Sequence, residues 1–211
     1  MELKTIRWIT EDGIGQLALD QPPSNTMDRR FFDELSLLTR MVIPGSGIRA
    51  LVVYGTGRHF SSGADPADLC RRVRETLPSN YPQEIPAFLS MARDCFQYIE
   101  KLPVPTFAAI RGVCLGSALE LALACRFRIC AEGAVFGFPE SSFGLMPGCG
   151  GTVMLTKAAG SQKAIELLLG GRNFSAGEAL EMGLVHRIVS RKTVVEETLK
   201  IAKGMISTLS L

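Results

Sequence analysis

The sequence predicts an α/β fold, because continuously apolar runs of strand length alternate with segments that have helical spacing. The run from Ala50 to Tyr54 is apolar throughout, which is typical of a buried strand, and Thr106 to Ile110 shows the same pattern. Between these strands, Ala87 to Lys101 has the period of an amphipathic helix and is followed by Pro103 and Pro105, which end it. This alternation is the basis of the assignment.

Length and composition restrict the classes of protein further. The chain has 211 residues, enough for one sizeable domain. Hydrophobic residues make up 46% and charged residues 21%, which excludes disorder, collagen and coiled coil as overall descriptions. Lys plus Arg number 23 and Asp plus Glu number 21, so the formal net charge is +2. Because this charge gives no electrostatic footprint, we expect neither nucleic acid nor a membrane surface as a partner.

The N-terminal half contains a hairpin signal and two helix signals. Asp12-Gly13 is a hairpin turn, Asp28 can cap a helix, and Pro44-Gly45 stops that helix. In order, the predicted elements are strands at Ile6 to Ile9 and Ile14 to Leu19, a helix from Asp28 to about Val42, a loop at Gly55 to Asp65, a helix from Asp68 to Glu75 and an irregular, proline-containing segment from Leu77 to Pro86.

The C-terminal half alternates glycine-rich turns with short apolar segments. In order, the predicted elements are a turn at Gly112 to Gly116, a buried helix from Ser117 to Cys125, short strands at Phe127 to Ala131 and Val135 to Phe138, a turn at Pro147 to Gly151 that opens a helix, short helices near 162–169 and 175–182, a strand at Val185 to Val189 and a helical tail from about Lys192.

The cysteines and termini indicate an intracellular protein. No C-x-x-C pair occurs and only His59 and His186 could add nitrogen ligands, so we expect no zinc site. The N-terminus has no apolar core of a signal peptide, and the most apolar stretch, Val113 to Cys125, is too short to span a bilayer. We expect a cytoplasmic location and reduced thiols at Cys70, Cys95, Cys114, Cys125, Cys130 and Cys149.

Glu120 is the most informative polar residue, because the helix predicted around it is otherwise apolar on every side. A carboxylate in such a place is costly unless it is paired, hydrogen-bonded or neutralised. Either a distant Arg or Lys neutralises it, or burial raises its pKa for acid–base work. The start of the same helix is a natural anion or oxyanion site. Ser117 lacks the G-x-S-x-G context and the nearby His of a hydrolase nucleophile.

Three further loops are candidates for chemistry. Phe60 to Asp65 follows a buried strand, and its small residues let backbone N–H groups approach a ligand. Taken alone, the segment is more simply a strand-to-helix turn with Asp65 as the helix cap. Glu140 ends a short strand and is either a solvated loop residue or the second carboxylate of a site with Glu120. Pro147 to Thr152 lacks the Lys and spacing of a phosphate-binding loop, so it does not indicate nucleotide binding.

Four segments together resemble the enoyl-CoA hydratase/isomerase (crotonase) family over about residues 3 to 190. They are F-S-S-G-A-D at 60–65, G-V-C-L-G-S-A-L-E-L-A at 112–122, F-G-F-P-E…G-L-M-P-G-C-G-G-T at 136–152 and G-R-N-F-S-A-G-E-A-L-E-M-G-L-V at 171–185. The resemblance implies an α/β, crotonase-like spiral of β-β-α units, with two sheets at a large angle and a shortened helical C-terminus. It implies an acyl-CoA-binding core at 1–190 and a truncated C-terminal helical segment at 191–211.

The resemblance also implies the ligand and the site. The ligand is an acyl-CoA thioester, with no separate cofactor and no metal, and the assembly is a homo-oligomer, a trimer or hexamer. The N–H groups of Ala64 and Ser117 correspond to the donors that bind the thioester oxygen, and Glu120 and Glu140 to the catalytic glutamates of hydratases. CoA or substrate contacts are implied at Ser62, Gly63, Asp65, Pro66, Gly116 and Gly148.

Three positions depart from the family pattern. Ser117 stands where hydratases usually have Gly, Ala67 where a Lys often helps to hold CoA, and Arg126 where an acidic residue is usual. Two glutamates favour hydration of a 2-enoyl-CoA, since isomerases of this family generally manage with one. The alternatives are enoyl-CoA isomerisation, acyl-CoA hydrolysis and a non-catalytic acyl-CoA-binding subunit. The segment from Arg71 to Pro86 is expected to line the acyl pocket.

Overall fold

The structure is a computed structural model that describes residues 3–65, 67–68, 71 and 87–208. Pro66, Cys70 and the predicted irregular segment from Leu77 to Pro86 therefore lie outside the described residues. The same holds for the predicted helix from Asp68 to Glu75, except for residues 68 and 71. The predicted lining of the acyl pocket by this stretch stays a prediction.

Nine strands occur in the described residues: β1 (Ile6–Glu11), β2 (Ile14–Leu19), β3 (Ala50–Gly55), β4 (Thr106–Ile110), β5 (Val113–Leu115), β6 (Phe127–Ala131), β7 (Val135–Gly137), β8 (Asn173–Ser175) and β9 (Arg187–Val189). Six of them form a large sheet in the order β1-β2-β3-β4-β6-β9. β1 and β2 pair as the predicted antiparallel hairpin, and all later pairs of this sheet are parallel.

A smaller sheet has the order β5-β7-β8. β5 pairs parallel with β7, and β7 pairs antiparallel with β8. The predicted turn at Gly112 to Gly116 was wrong, because its two glycines flank three strand residues rather than forming one continuous turn. The short strand β8 was not predicted, since three residues carry too little alternation to be recognised.

Seven α-helices occur in the described residues: α1 (Arg29–Leu37), α2 (Ala87–Lys101), α3 (Ser117–Ala124), α4 (Gly151–Ala159), α5 (Ser161–Gly170), α6 (Ala176–Glu181) and α7 (Val194–Thr208). The Asp28 side chain accepts the Phe31 N–H at 2.9 Å, which confirms the predicted cap. α1 continues into a π-helical turn at Leu38–Val42. None of the described helices is both long and apolar enough to cross a bilayer.

The chain moves repeatedly from the large sheet to the small one. β4 lies in the large sheet, β5 lies in the small sheet and α3 follows; β6 and β7 repeat this placement. The loop after β3 follows the same rule, because Ser61 forms a parallel bridge with Cys114 of β5. This strand–strand–helix repeat places the ends of successive units close together.

The large sheet separates two apolar clusters. Leu51 and Val53 of β3 belong to the larger cluster, which includes buried residues of α1, α2 and α3. Ala50 and Val52 alternate with them and belong to the smaller cluster, as does Ile206 of α7. α7 therefore packs on the sheet face opposite the one that carries α3. The division into a core at 1–190 and a segment at 191–211 stays a prediction.

Candidate active site

The loop after β3 and strand β5 lie side by side. Ser61 donates its N–H to the Val113 carbonyl at 3.1 Å, and the Ser61 carbonyl accepts the Leu115 N–H at 3.2 Å. These bonds pair the two segments as neighbouring strands are paired. The structure thus brings together the segments at 60–65 and 112–120, which are about fifty residues apart in sequence.

Asn25, which the sequence did not indicate, holds the loop after β3 in place. Its side-chain nitrogen donates to the carbonyls of Thr56 and His59 at 2.9 Å and lies 3.2 Å from that of Phe60. Its own carbonyl accepts the Ser61 hydroxyl at 2.7 Å. The only sequence signal was an Asn near two prolines, which is ordinary turn chemistry.

Two glycines allow the site's loops to approach closely. Gly63 has a φ of +81°, and a Cβ added there would lie 2.4 Å from the Leu115 carbonyl oxygen. Gly116 has a φ of +55°, and a Cβ there would lie 2.7 Å from Oε1 of Glu140. Both positions have a left-handed backbone that favours glycine, and at Gly63 a Cβ would also meet backbone that cannot easily move aside.

Ala64 and Ser117 are in direct contact. The Ala64 N–H donates to Oγ of Ser117 at 2.9 Å. Ser117 is the first residue of α3, so its N–H has no acceptor within the helix. In the described part of the chain, the Ser117 N–H donates to no acceptor outside the helix either. One backbone donor from the loop after β3 and one from the first residue of α3 therefore belong to residues in direct contact.

Glu120 is 1% exposed. Its Oε1 accepts the N–H of Cys149 at 2.8 Å and that of Gly151 at 2.7 Å. No Arg or Lys of the described ranges forms an ion pair with it, so hydrogen bonds stabilise this carboxyl group rather than a distant cation. Burial raises the pKa of Glu120 to about 7; the Gly151 N–H opposes this shift, and the nearby Glu140 adds to it.

Glu140 reaches the same place from a 3₁₀ helix at Pro139–Phe143. Its Oε1 faces Gly116, and its Oε2 is shielded from solvent without a hydrogen-bond partner among the described residues. Burial raises the pKa of Glu140. A solvated loop carboxylate would have water at both oxygens, so this alternative does not fit. An unbonded buried carboxyl oxygen is free to interact with a ligand.

The raised pKa of Glu120 predicts a pH-dependent stability. Between the usual value of 4.5 and about 7, the folded state keeps a proton that the unfolded chain has lost. Relative to Glu120→Gln, the wild-type free energy of unfolding should be highest below this window and fall as the pH rises through it, by about 3 kcal/mol in total. Urea unfolding of both proteins at several pH values measures this difference, and a constant difference would contradict the raised pKa.

A cavity of about 670 Å³ connects these groups. Ala64, Ser117, Glu120 and Glu140 all line it. Much of the remaining cavity wall is apolar. The sequence did not assign these residues to a cavity, because apolar residues at helical spacing usually belong to a core. These wall residues include Met27, Phe32, Phe88, Leu89, Phe143, Leu145 and Met146.

Only some of the residues predicted to contact CoA or substrate line the cavity. Those that also line the cavity are Ser62, Asp65, Gly116 and Gly148. Gly63 is not part of the lining and instead lies against β5. The Asp65 carboxylate accepts the N–H groups of Ala67 and Asp68 at 2.8 and 3.0 Å, as a helix cap does.

Other polar candidates have structural partners. Arg126 donates to the carbonyls of Leu102 and Val104, and Nδ1 of His59 and of His186 each accepts a backbone N–H. No group of His, Cys, Asp and Glu within the described ranges could hold a metal ion. The described cysteines are free thiols, namely Cys95, Cys114, Cys125, Cys130 and Cys149.

Comparisons with known sequences place the chain among related proteins. A family model described as enoyl-CoA hydratase/isomerase matches residues 9–210. The Bacillus subtilis (strain 168) protein named "Probable enoyl-CoA hydratase" is 34% identical over 183 residues, covering 87% of this chain and 68% of that protein. The fatty acid oxidation complex subunit alpha of Shewanella frigidimarina (strain NCIMB 400) is 35% identical over 198 residues, covering 92% of this chain but 27% of that much longer protein.

Solved structures show the same architecture. The enoyl-CoA hydratase from Bacillus anthracis has a TM-score of 0.83 at 30% identity, covering 97% of this chain and 77% of that one. Pseudomonas aeruginosa DspI has a TM-score of 0.84 at 28% identity, covering 97% and 80%. These similarities confirm the predicted crotonase-like α/β fold. The chain belongs to the enoyl-CoA hydratase/isomerase family.

Proposed function

We propose that the protein adds water across the 2,3 double bond of an enoyl-CoA thioester. One observation carries the proposal: the carboxyl groups of Glu120, which is buried, and of Glu140, whose Oε2 is shielded from solvent, line the same cavity as Ala64 and Ser117. The pair of backbone donors suits a carbonyl oxygen, and the pair of acids suits the addition of water to the carbons beside it. CoA is part of the substrate, and the reaction needs no separate cofactor.

The thioester oxygen binds between the N–H groups of Ala64 and Ser117. When water attacks the β-carbon, the electrons of the double bond move towards this oxygen and form an enolate. Two fixed donors and the N-terminus of α3 stabilise the new negative charge. In comparable sites, the loss of one such donor lowers the rate by ~10²–10³.

The two glutamates divide the proton transfers. The hydrogen bonds from Cys149 and Gly151 hold Oε1 of Glu120, which leaves Oε2 to bind a water. In the form of the pair that reacts, Glu140 holds the shared proton and Glu120 is the carboxylate, which takes a proton from this water while the oxygen bonds to the β-carbon. Glu140, protonated, gives its proton to the α-carbon. The acids then exchange a proton to restore the starting state, and their pKa values belong to the pair.

Crotonyl-CoA tests the proposal. We expect the absorbance of the conjugated thioester to disappear and mass spectrometry to find a product heavier by one water. A product of unchanged mass would indicate an isomerase, and free CoA thiol would indicate a hydrolase. Binding without turnover across several enoyl-chain lengths would favour the acyl-CoA-binding subunit. Each of these three results would contradict hydration.

We also propose a homo-oligomer, a trimer or hexamer, in the cytoplasm. Val153 and Ile165 are 58% exposed and Leu169 is 67% exposed, which is unusual for such apolar side chains on α4 and α5. Burial against a second copy would remove this surface from water. Native mass spectrometry measures the assembly, and a monomer at micromolar concentration would contradict this part of the proposal.

A further inference from the structure

We propose that the hydroxyl group of Ser117 is an internal occupant of the oxyanion site, which the carbonyl oxygen of an acyl-CoA must displace. This inference rests on the proposed function, because it assumes that the Ala64 N–H binds a thioester oxygen. The distance of 2.9 Å from the Ala64 nitrogen to Oγ of Ser117 is that of a normal N–H···O hydrogen bond. Oγ thus already accepts the hydrogen that the substrate needs.

The surroundings of the hydroxyl keep it in this place. Ser117 is 7% exposed and Met27 is 2% exposed, so water has little access to either side chain. Oγ of Ser117 lies 3.5 Å from Sδ of Met27, which is a weak acceptor for the hydroxyl hydrogen. Among the described residues, the hydroxyl therefore has one good hydrogen bond, which is the one from Ala64.

Competition for one hydrogen predicts a cost in affinity. The Ala64 N–H has a single hydrogen and cannot form full bonds with both Oγ and a thioester oxygen. Binding of the thioester must rotate the Ser117 side chain and break the internal bond. The cost is the same for the ground state and the transition state, so it raises KM and leaves kcat unchanged. Ser117 is thus a residue that tunes affinity, whereas its backbone N–H is the second donor.

The test compares two ligands that differ in the carbonyl group. Butyryl-CoA has the thioester but no double bond to hydrate, and free CoA has no carbonyl. Ser117→Ala keeps the backbone N–H and removes Oγ. By calorimetric titration we expect this variant to bind butyryl-CoA about three- to tenfold more tightly, the gain of one neutral hydrogen bond. Its affinity for CoA should not change. Steady-state turnover of crotonyl-CoA should show a KM that is lower by a similar factor.

A matched control removes a hydroxyl elsewhere. The Ser46 hydroxyl donates to the Ile43 carbonyl at 2.7 Å, in a turn outside the cavity lining. Ser46→Ala should bind both ligands as the wild type does. Ser117→Gly, which also removes Oγ, repeats the test if Ser117→Ala does not fold.

Three results would overturn the inference and leave the proposed function intact. Unchanged binding of butyryl-CoA would mean that Oγ does not compete with the carbonyl. Weaker binding would mean that the hydroxyl donates to the bound oxygen. An equal gain for butyryl-CoA and CoA would mean that the effect does not involve the carbonyl. If neither wild type nor variant binds butyryl-CoA or crotonyl-CoA, the proposed function fails and the inference fails with it.

Discussion

Glu120→Gln and Glu140→Gln should each lower the turnover of crotonyl-CoA at least about a hundredfold, the usual contribution of one acid–base group. Glutamine has nearly the size of glutamic acid, and its oxygen can still accept the N–H groups of Cys149 and Gly151 that now bind Glu120. What the amide cannot do is take a proton from water or give one to carbon. Initial rates at saturating crotonyl-CoA measure the loss.

The control for these variants is an acid outside the cavity. Glu132 is exposed in the turn between β6 and β7, so Glu132→Gln should keep wild-type turnover. Butyryl-CoA should still bind to Glu120→Gln and Glu140→Gln. Normal turnover in these two variants would refute the proposed proton transfers, and a loss of binding as large as the loss of rate would assign the glutamates to binding instead.

Gly63→Ala should lower kcat/KM by about a hundredfold or more, because it moves one of the two backbone donors. The new Cβ would lie 2.4 Å from the Leu115 carbonyl oxygen, so the loop after β3 must move away from β5. Ala64 is the next residue, and its N–H moves with the loop. The rate of crotonyl-CoA hydration at low substrate concentration measures this effect.

Gly133→Ala is the control that distinguishes the steric clash with Leu115 from the strain of a left-handed backbone. Gly133 has a φ of +72°, close to the +81° of Gly63, and a Cβ there meets no atom of the described residues within 4 Å. This variant should lose about 1 kcal/mol of stability and keep its turnover. If Gly63→Ala loses stability to the same extent and keeps its turnover, the close contact of the two loops is not needed for the reaction.

The elements that depend on local chemistry could be predicted from the sequence. The apolar runs at 50–54 and 106–110 indicated buried strands, and both lie in the centre of the large sheet. The burial of Glu120 followed from its apolar helix, in agreement with its 1% exposure. The assignment of roles to Glu120, Glu140, Ala64 and Ser117 came from the family resemblance.

Contacts between distant segments could not be predicted. The bond from Ala64 to Oγ of Ser117 joins residues 53 apart, and the bridge from Ser61 to Cys114 spans the same distance. The role of Asn25 could not be predicted, because the three carbonyls near its side-chain nitrogen lie more than thirty positions away in sequence. Local sequence indicated only a turn residue. β5 has three residues, too few for a periodic signal, and pairing with Ser61 and β7 stabilises it.

The large sheet separates the packing beneath α7 from the cavity, so that residues on one side can be substituted without contact to the other side. Side chains of α3 and the cavity lie on one side of β3 and β4, and α7 covers the other side. A substitution under α7 alters folding stability without touching a cavity wall, whereas a substitution in the wall leaves the packing under α7 intact. Directed evolution for heat tolerance is therefore best aimed at the packing beneath α7, where a stabilising substitution leaves the cavity walls unchanged.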